Sequence, residues 1–379
     1  MNILHIVNVS FVLPYYLGEQ INYFKSRGDN IFIVCSPSDQ LSAFSEFYQI
    51  ETFGIPISRN VSPLLDTYSI IKIIKIIYKY KIDVVIGHTP KGGFISMIAS
   101  FIANVKNRIY FRHGLMFETS DGIAKNIYVL AEKLTGCLAT TVVCVSKSVL
   151  DMSNVFRLNE FSKNIIINHG TCNGIDSQIK FNPELVSTSK TFDLKLKYNI
   201  EGSDFVFGYV GRIVGDKGIA ELLDAWQFFS LKYRFAKLLL VGPLEERDSL
   251  NDKYKSIILN NPSIIHVGYV EDTSIFYKLM DVFILPSYRE GFPTVVLEAS
   301  SMGLPVITTR KTGCIDSIIE NETGIFSDID YDSLINSMET LINRSDLCKK
   351  LGSNGREFVV NSFSQIKIWE NLYTLYHNL

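Results

Sequence analysis

Two glutamates, Glu290 and Glu298, lie eight residues apart behind an apolar run. Pro293 is well placed at the start of a helix, where its missing N–H costs nothing, and Gly303 is placed to end that helix. Glu290 then lies in a loop and Glu298 on the first helical turns. Carboxylates beside a helix N-terminus suit hydrogen bonds to sugar and ribose hydroxyls that flank a phosphate. Taken alone, the pair is more simply explained as solvated carboxylates on a surface helix.

Arg212 and Lys217 follow a second apolar run, DFVFGYVG. Gly211 precedes the arginine, and Gly218 follows the lysine where a helix is predicted to open. Arginine offers a planar fork and lysine a point charge, and both can hold phosphate oxygens. The spacing is not that of a P-loop. By themselves, two basic residues in such a turn are as compatible with a structural role as with binding.

His113 ends a predicted strand, RIYFRHG, and is followed by a glycine. A lone histidine is more often structural than catalytic. Its place at the carboxyl end of a strand nevertheless favours a functional role.

Three lysines, Lys72, Lys75 and Lys79, share one face of a predicted isoleucine-rich helix. The simpler interpretation is the solvated edge of a helix that covers a sheet. The alternative is a basic strip that rests on anionic lipid headgroups.

These residues need strands that end at a common edge, and the sequence provides such strands twice. Short runs of Ile and Val alternate with segments of helical spacing, which is typical of α/β domains with doubly wound parallel sheets. We predict one Rossmann-like domain at 1–185 and a second at 186–362, with a polar connection at 170–203. In the first domain the helical spacing falls at 17–27, 66–80, 92–103 and 121–135.

The closing segment, 363–379, predicts an amphipathic helix. Ile366, Trp369 and Tyr373 are spaced to lie on one face. That face is expected to pack against a domain.

Composition and charge exclude several classes of protein. The chain of 379 residues is 47% hydrophobic with a formal charge of −2, which is typical of globular proteins and unlike nucleic-acid binders. Its six cysteines form no C-x-x-C pair, which indicates reduced thiols. The N-terminal segment lacks signal-peptide features, and the longest uncharged apolar run, 92–105, is too short to span a bilayer. We therefore expect a cytoplasmic protein that at most contacts the inner face of the cell membrane.

Together these motifs resemble glycosyltransferase family 4, whose members are retaining enzymes with two Rossmann-like domains that face each other in the GT-B arrangement. The segment from Glu290 to Glu298 is similar to the family's E-x7-E signature. Arg212 and Lys217, with their glycines, resemble its diphosphate-binding turn.

Three further segments are similar to blocks of members that make capsules and O-antigens; they are 111–114, 168–176 and 312–326. The matches run through nearly the whole chain in the family's order. This agreement favours function over the separate structural interpretations of each motif.

The resemblance implies a role for each candidate residue. Arg212 and Lys217 would neutralise the diphosphate of a nucleotide-sugar donor, which is also the leaving group. Glu298 would accept hydrogen bonds from the ribose hydroxyls, and Glu290 would orient the transferred sugar. His113 would reach the donor sugar from the first domain.

The resemblance also implies backbone contacts to the donor. Gly18 follows the first strand, as a single glycine where many members have adjacent ones. Asp316 stands where many members carry Glu. The closing helix, 363–379, would cross back to the first domain. The other implied donor contacts are Gly291, Phe292, Pro293 and Thr294 near the sugar, and Gly268, Tyr269 and Val270 near the base.

The implied reaction moves a hexosyl or N-acetylhexosaminyl group from a nucleoside-diphosphate sugar to a glycan hydroxyl. Family frequency favours UDP over GDP, and the implied acceptor is a lipid-diphosphate-linked glycan in bacterial surface-polysaccharide synthesis. Two pre-placed cations would stabilise the leaving group, so no metal or other cofactor is expected.

Three alternatives stay open at this point. A sugar-nucleotide epimerase could use the same fold without an acceptor. A non-catalytic partner subunit of a polysaccharide-assembly complex would tolerate loss of the charged residues, which are all present here. A glycan-binding module would bind glycans independently of nucleotide.

Overall fold

Runs of Ile, Val and Leu form two parallel sheets in this protein. The computed structural model describes residues 1–245 and 249–378. The chain divides into two units: Met1–Gly174 joined by the segment from Gln365 onwards, and Ile175–Ser364. Each is a Rossmann-like α/β domain, as predicted.

The first unit contains a seven-stranded parallel sheet. Its strands are β1 (Asn2–Ile6), β2 (Asn30–Cys35), β3 (Glu51–Gly54), β4 (Val84–Gly87), β5 (Asn107–Arg112), β6 (Thr141–Cys144) and β7 (Asn164–Ile165). Its first helices are α1 (Leu13–Tyr16), α2 (Gln20–Lys25), α3 (Asp39–Tyr48), α4 (Pro63–Lys79), α5 (Pro90–Ile102), α6 (Gly122–Leu138) and α7 (Lys147–Val155). Strands β4 and β6 are buried at every residue, as expected for strands covered on both faces.

The second unit contains a six-stranded parallel sheet. Its strands are β8 (Phe205–Val210), β9 (Ala236–Val241), β10 (Ile264–Gly268), β11 (Val282–Leu285), β12 (Val306–Thr308) and β13 (Gly324–Phe326). Its helices are α8 (Thr188–Lys197), α9 (Ile219–Lys232), α10 (Asp252–Asn260), α11 (Ser274–Tyr277), α12 (Thr294–Ser301), α13 (Tyr331–Ile342) and α14 (Ser345–Ser362).

Both sheets reverse their strand order once. The orders are β3-β2-β1-β4-β5-β6-β7 and β10-β9-β8-β11-β12-β13. The reversal lies between β1 and β4 in the first sheet and between β8 and β11 in the second. Loops that leave the strands there diverge and open a crevice, which is where doubly wound sheets bind ligands.

The last helix, α15 (Gln365–His377), belongs to the first unit. Its Trp369 Nε1 donates to Asn173 Oδ1 at 2.7 Å. At its other end, His377 Nε2 lies 3.0 Å from Asp29 Oδ2. These bonds fix the helix to residues from both ends of the first unit's main segment.

The predicted apolar face of this helix is wrong in part. Ile366 is 51% exposed, and Tyr373 is only partly buried. The buried stripe shares only Trp369 with the predicted one, because the aromatic rings of α2 meet the helix at Trp369 and Tyr376. The buried residues are Ile368, Trp369, Leu372 and Tyr376.

The polar connection also differs from the prediction. The segment 175–185 belongs to the second unit, because Ser301 Oγ donates to Phe181 O at 2.8 Å and Arg356 Nη2 donates to Asn182 Oδ1 at 3.1 Å. Residues further along form α8, whose N-terminus is capped by the Ser187 side chain. The division of the chain therefore precedes the predicted one.

The six cysteines are free thiols, and four of them are buried. Within the described residues, every helix is too short or too polar to cross a membrane.

Candidate active site

Lys217 and Glu290 meet at the reversal point of the second sheet. Lys217 ends a short 3-10 turn after β8, and Glu290 lies in the loop after β11. The lysine Nζ is 2.5 Å from the glutamate Oε1, and the side chains are only 15% and 17% exposed. A cation and a carboxylate held together beyond the carboxyl ends of two strands can bind a phosphate oxygen and a hydroxyl side by side.

Two glycines let the loops around this pair approach closely. Gly218 has φ +68°, and a β-carbon there would lie 2.0 Å from Pro286 O. Gly313 has φ +78°, and a β-carbon there would lie 2.6 Å from Glu290 O. The Glu290 N–H donates to Thr312 O at 3.0 Å. Backbone contacts therefore hold Glu290, and a larger residue at either glycine would displace its loop.

Arg212, the other predicted phosphate ligand, is held by a carboxylate. Its Nη1 lies 3.2 Å from Glu245 Oε2, with both side chains partly exposed. The buried Tyr209 donates its hydroxyl to Arg212 O at 2.7 Å, which fixes the backbone of the turn. An anionic ligand would compete with Glu245 for the guanidinium.

Glu298 is buried on α12 and hydrogen-bonded. Its side chain receives a bond from Tyr277 Oη, 2.8 Å from Oε2. Burial raises the pKa of the Glu298 carboxyl, while hydrogen bonds from Tyr277 and Thr273 and the positive charge of Lys180 oppose that rise. The predicted ribose ligand is thus held in one orientation by its neighbours.

The predicted base-binding segment lies in the same unit, at the end of β10 and directly after it. Gly268 O accepts a bond from Gly242 N at 2.9 Å. A β-carbon on Gly242 would lie 1.9 Å from Gly211 O, so the loops after β8, β9 and β10 stack backbone on backbone. Next to them, Tyr269 is 67% exposed and Val270 is partly buried.

The predicted sugar-orienting segment leads from Glu290 into α12. Gly291 is partly buried, and Phe292 packs on Phe363 with the ring centroids 5.3 Å apart. Pro293 is the N-cap of the helix and Thr294 its first residue. The sequence placed this helix start correctly.

In the first unit, His113 is the end of a row of three histidines. His5 Nδ1 lies 3.0 Å from His88 Nε2, and His88 Nδ1 lies 3.0 Å from His113 Nε2. His5 lies in β1, His88 directly follows β4 and His113 directly follows β5. Burial lowers the pKa of His5 and of His113 to about 3, so both rings are neutral near pH 7. We call these three residues the histidine row.

Gly18, the other predicted residue of the first unit, is buried between α1 and α2 with φ +45°. A β-carbon there would lie 2.6 Å from Pro14 O. This geometry explains the glycine as a turn residue, and its contact with a donor stays a prediction.

In a comparison with known proteins, both units match glycosyltransferase family models. Residues 191–358 match the family model described as "Glycosyl transferases group 1", and residues 3–146 match "Glycosyl transferase 4-like". The capsular polysaccharide biosynthesis glycosyltransferase CapM of Staphylococcus aureus is 35% identical over 378 residues, covering 99% of this chain and 96% of that protein. The chain belongs to this glycosyltransferase family.

Two further proteins resemble this glycosyltransferase over most of its length. The Escherichia coli UDP-Gal:alpha-D-GlcNAc-diphosphoundecaprenol alpha-1,3-galactosyltransferase is 27% identical, covering 92% of this chain and 88% of that protein. The crystal structure of Anabaena Alr3699/HepE in complex with UDP-glucose superposes with a TM-score of 0.82 at 18% identity, covering 100% of both chains. That likeness confirms the predicted GT-B fold.

Sequence reasoning missed four residues of the glycosyltransferase: His5, His88, Glu245 and Tyr277. A usable signal exists for the histidines, because all three lie in or just after strands that the sequence predicts. No motif marks Tyr277 or Glu245, since each meets its partner only through the tertiary fold.

The described residues of the glycosyltransferase contain no group of three or more His, Cys, Asp or Glu side chains arranged to hold a metal ion. The histidine row does not form such a group, because its nitrogens bond to one another instead of converging on a common point.

Proposed function

We propose that this glycosyltransferase moves a hexosyl or N-acetylhexosaminyl group from a UDP-sugar to a hydroxyl of a lipid-diphosphate-linked glycan, in bacterial surface-polysaccharide synthesis. The observation that carries the proposal is the Lys217–Glu290 pair at the reversal point of the second sheet. The name of the Escherichia coli relative, which specifies a UDP-sugar donor and a diphosphoundecaprenol-linked acceptor, supports these classes.

Donor binding would give Lys217 and Arg212 new partners. Without a donor, each cation is held by a carboxylate, Glu290 or Glu245. A diphosphate carries more negative charge than one carboxylate, so it competes for both cations. Glu290 would then be released from part of its ion pair and accept hydrogen bonds from sugar hydroxyls.

The proposed transfer retains the anomeric configuration. The bond from C1 to the diphosphate oxygen breaks, and a bond from C1 to the acceptor oxygen forms on the same face of the sugar. The acceptor proton passes to the departing phosphate oxygen. Both glutamates are unsuited as nucleophiles, because Glu290 is paired with Lys217 and Glu298 is buried against Tyr277. Lys217 and Arg212 stabilise the charge that develops on the diphosphate, so the chemistry needs no metal ion.

A panel of sugar nucleotides tests this proposal. Each donor is incubated with the protein, with and without a synthetic lipid-diphosphate glycan, and the product anomer is identified by NMR. We expect one UDP-sugar to support transfer with retention. Conversion of the donor without acceptor would instead identify an epimerase. Nucleotide binding without turnover would identify a partner subunit, and glycan affinity unaffected by UDP or GDP in calorimetry would identify a binding module.

A lipid-linked acceptor would bring the protein to a membrane surface, and α4 is suited to contact it. Lys72, Lys75 and Lys79 are exposed on this helix, together with Tyr68 and Ile71, each 49% exposed. In a vesicle-flotation assay, we expect the protein to bind vesicles that contain phosphatidylglycerol and not to bind vesicles of phosphatidylcholine alone.

Matched variants test whether the three lysines act through their position on α4 or only through the net charge of the protein. Each lysine near an anionic surface contributes about 1 kcal/mol, so the triple change of Lys72, Lys75 and Lys79 to Gln should weaken binding about 100-fold. Changing the exposed Lys349 and Lys350 to Gln serves as the control and should have little effect. Equal binding by both variants would refute the contact through α4.

A further inference from the structure

The histidine row crosses three neighbouring strands diagonally. His5 lies opposite Ile86 in the register of β1 and β4, so His88 is two residues further on and points to the same face. The same shift of two residues leads from Phe111, whose ring contacts His88, to His113. Three histidines on separate strands are thereby brought into one hydrogen-bonded chain.

The rings meet edge to edge. Neighbouring centroids are 5.3 Å apart at both steps, and the interplanar angles are 21° and 33°. Tyr16 stacks on His113 face to face, with the centroids 3.9 Å apart at 7°. The stacked Tyr16 fixes the plane of His113 and therefore the direction of its ring nitrogens.

The row leaves few choices for its protons. A neutral imidazole has one N–H and one bare nitrogen. The two bonds use both nitrogens of His88, Nδ1 of His5 and Nε2 of His113. If His88 donates from Nδ1, it must accept at Nε2, and the reverse holds for the other direction. Both bonds are therefore satisfied only when all three rings carry their proton on Nδ1, or all three on Nε2.

Burial excludes a charged row near neutral pH. His5 and His88 are 3% and 1% exposed. Burial is the largest cause that lowers the pKa of His88, and the charges of His113 and His5 lower it further. Within the described residues, no carboxylate hydrogen-bonds to any ring of the row.

We infer that His5 and His88 are positioning residues that set the tautomer of His113. The nitrogen of His113 outside the row is Nδ1, at the carboxyl edge of the sheet. It presents a hydrogen-bond donor in one shared state and an acceptor in the other. The tautomer of His5, two rings away and buried, is thus coupled to the kind of hydroxyl contact that His113 can make. The consequence for catalysis rests on the proposed function, whereas the shared tautomer does not.

Long-range ¹H–¹⁵N spectra of the full chain, labelled with ¹⁵N-histidine, test this directly. The spectra show which nitrogen of each ring carries the proton, and single substitutions assign the six histidines. We expect His5, His88 and His113 to share one tautomer near pH 7. A mixed set in the unsubstituted protein would overturn the inference, and this arm needs no variant that might fail to fold.

Three variants complete the test. His5→Phe removes the terminal partner, so His113 should lose its single tautomer. His5→Asn places an amide near the position of Nδ1, which gives His88 Nε2 a partner again and should make that loss smaller. His266→Gln is the control, because His266 lies in the second unit and its Nε2 is 3.0 Å from Gly242 O. An unchanged His113 spectrum in His5→Phe would overturn the inference.

Kinetics separate the inference from the proposed function. Outer hydrogen-bond partners of metal-binding histidines typically contribute about 10- to 100-fold to activity. We expect an effect of the same size for His113, so His5→Phe should lower kcat in that range with KM less affected, and His5→Asn should recover part of the loss. A shared tautomer without any transferase activity would refute the proposed function alone. Full activity in His5→Phe would show that the row does not serve catalysis.

Discussion

The two sheets reverse their strand order at equivalent places, yet the side chains there differ in charge. In the second unit, Lys217 and Glu290 form a full ion pair that keeps some exposure. In the first unit, His5 and His88 are buried, and burial keeps them neutral. The same topology therefore places a charged pair at the reversal point of one domain and neutral histidines at that of the other. Topology determines where ligand-binding groups gather, and the degree of burial determines whether they carry charge.

The first unit does contain a full ion pair, but in its interior. Arg112 is fully buried, and its Nε lies 2.9 Å from Glu132 Oε2. Tyr110 donates its hydroxyl to the other carboxylate oxygen at 2.9 Å. These bonds join β5 to α6. This interior pair thus serves the stability of the domain.

The largest effect should come from breaking that interior pair. Arg112→Met leaves Glu132 as an uncompensated buried charge, which should lower the free energy of unfolding by about 3–5 kcal/mol. Urea unfolding is followed by Trp369 fluorescence in a Trp226→Phe background, because the two tryptophans of the chain lie in different units. Lys147→Met, at an exposed pair of the same unit, is the control and should change little. Similar losses in both variants would contradict the assigned role.

Acid should destabilise the first unit next most strongly. Because burial lowers the folded pKa of His5 and His88, the unfolded chain binds protons there first. The stabilisation is complete above the unfolded pKa of about 6.5 and is lost as the pH falls towards the folded values. With one proton each on His5 and His88, the loss is about 3 kcal/mol between pH 6.5 and 5.0.

The Trp369 signal measures this pH dependence in the same way. In His5→Phe, the chain should take up about one proton fewer on unfolding, so the unfolding free energy should depend less steeply on pH. Unfolding free energies that stay constant between pH 7 and 5.5 would show that the row is not held neutral.

Changes at the charged pair of the second unit should alter the rate of transfer more than the stability. Lys217→Ala removes a cation from the departing diphosphate and should slow transfer about 10²- to 10³-fold. The free energy of unfolding, followed by Trp226 fluorescence, should fall less than in Arg112→Met, because Glu290 keeps some contact with solvent. Lys253→Ala, which removes an exposed partner of Asp224 in the same unit, is the control. Unchanged kinetics in Lys217→Ala would refute the donor-site assignment.

The smallest effect concerns Glu298. Tyr277→Phe removes a hydrogen bond that favours the ionised carboxylate, so the folded pKa of Glu298 should rise further. The variant should lose about 1–2 kcal/mol of unfolding free energy at pH 7. The lost bond favours the ionised carboxylate. The deficit in unfolding free energy should therefore shrink as the pH falls through the folded pKa of Glu298 and the carboxyl becomes protonated. Tyr254→Phe, at a more exposed bond to Asp224, should lose less. A deficit independent of pH would show that Tyr277 acts by packing alone.

The fold was largely predictable because parallel strands buried on both faces have nearly continuous apolar sequences. The segment that contains β11 is an example. The short strands β3, β7 and β13 escaped prediction, since edge strands need few apolar residues. Helix α8 escaped because its polar composition resembles a loop, although Ser187 supplies a cap.

Individual residues of the site were predictable where a sequence motif contains them, but their contacts with one another were not. Lys217 and Glu290 came from separate motifs 73 residues apart, and the fold brings their side chains to 2.5 Å. The histidine row could not be found this way, because it depends on the register of three strands and not on spacing along the chain. Tyr277 likewise reaches Glu298 only through the packing of α11 against α12.

Helix α15 gives the first unit an unusual order of assembly during translation. Its contacts with Asn173 and Asp29 join segments that the ribosome produces before and after the whole second unit. The first sheet can form early, but Trp369 can be buried only once synthesis has passed residue 364. Since domains generally fold as they emerge, the nascent first domain has to keep the surface around Phe24 uncovered while its neighbour is made. A chaperone that binds exposed aromatic surface would find its target in that interval.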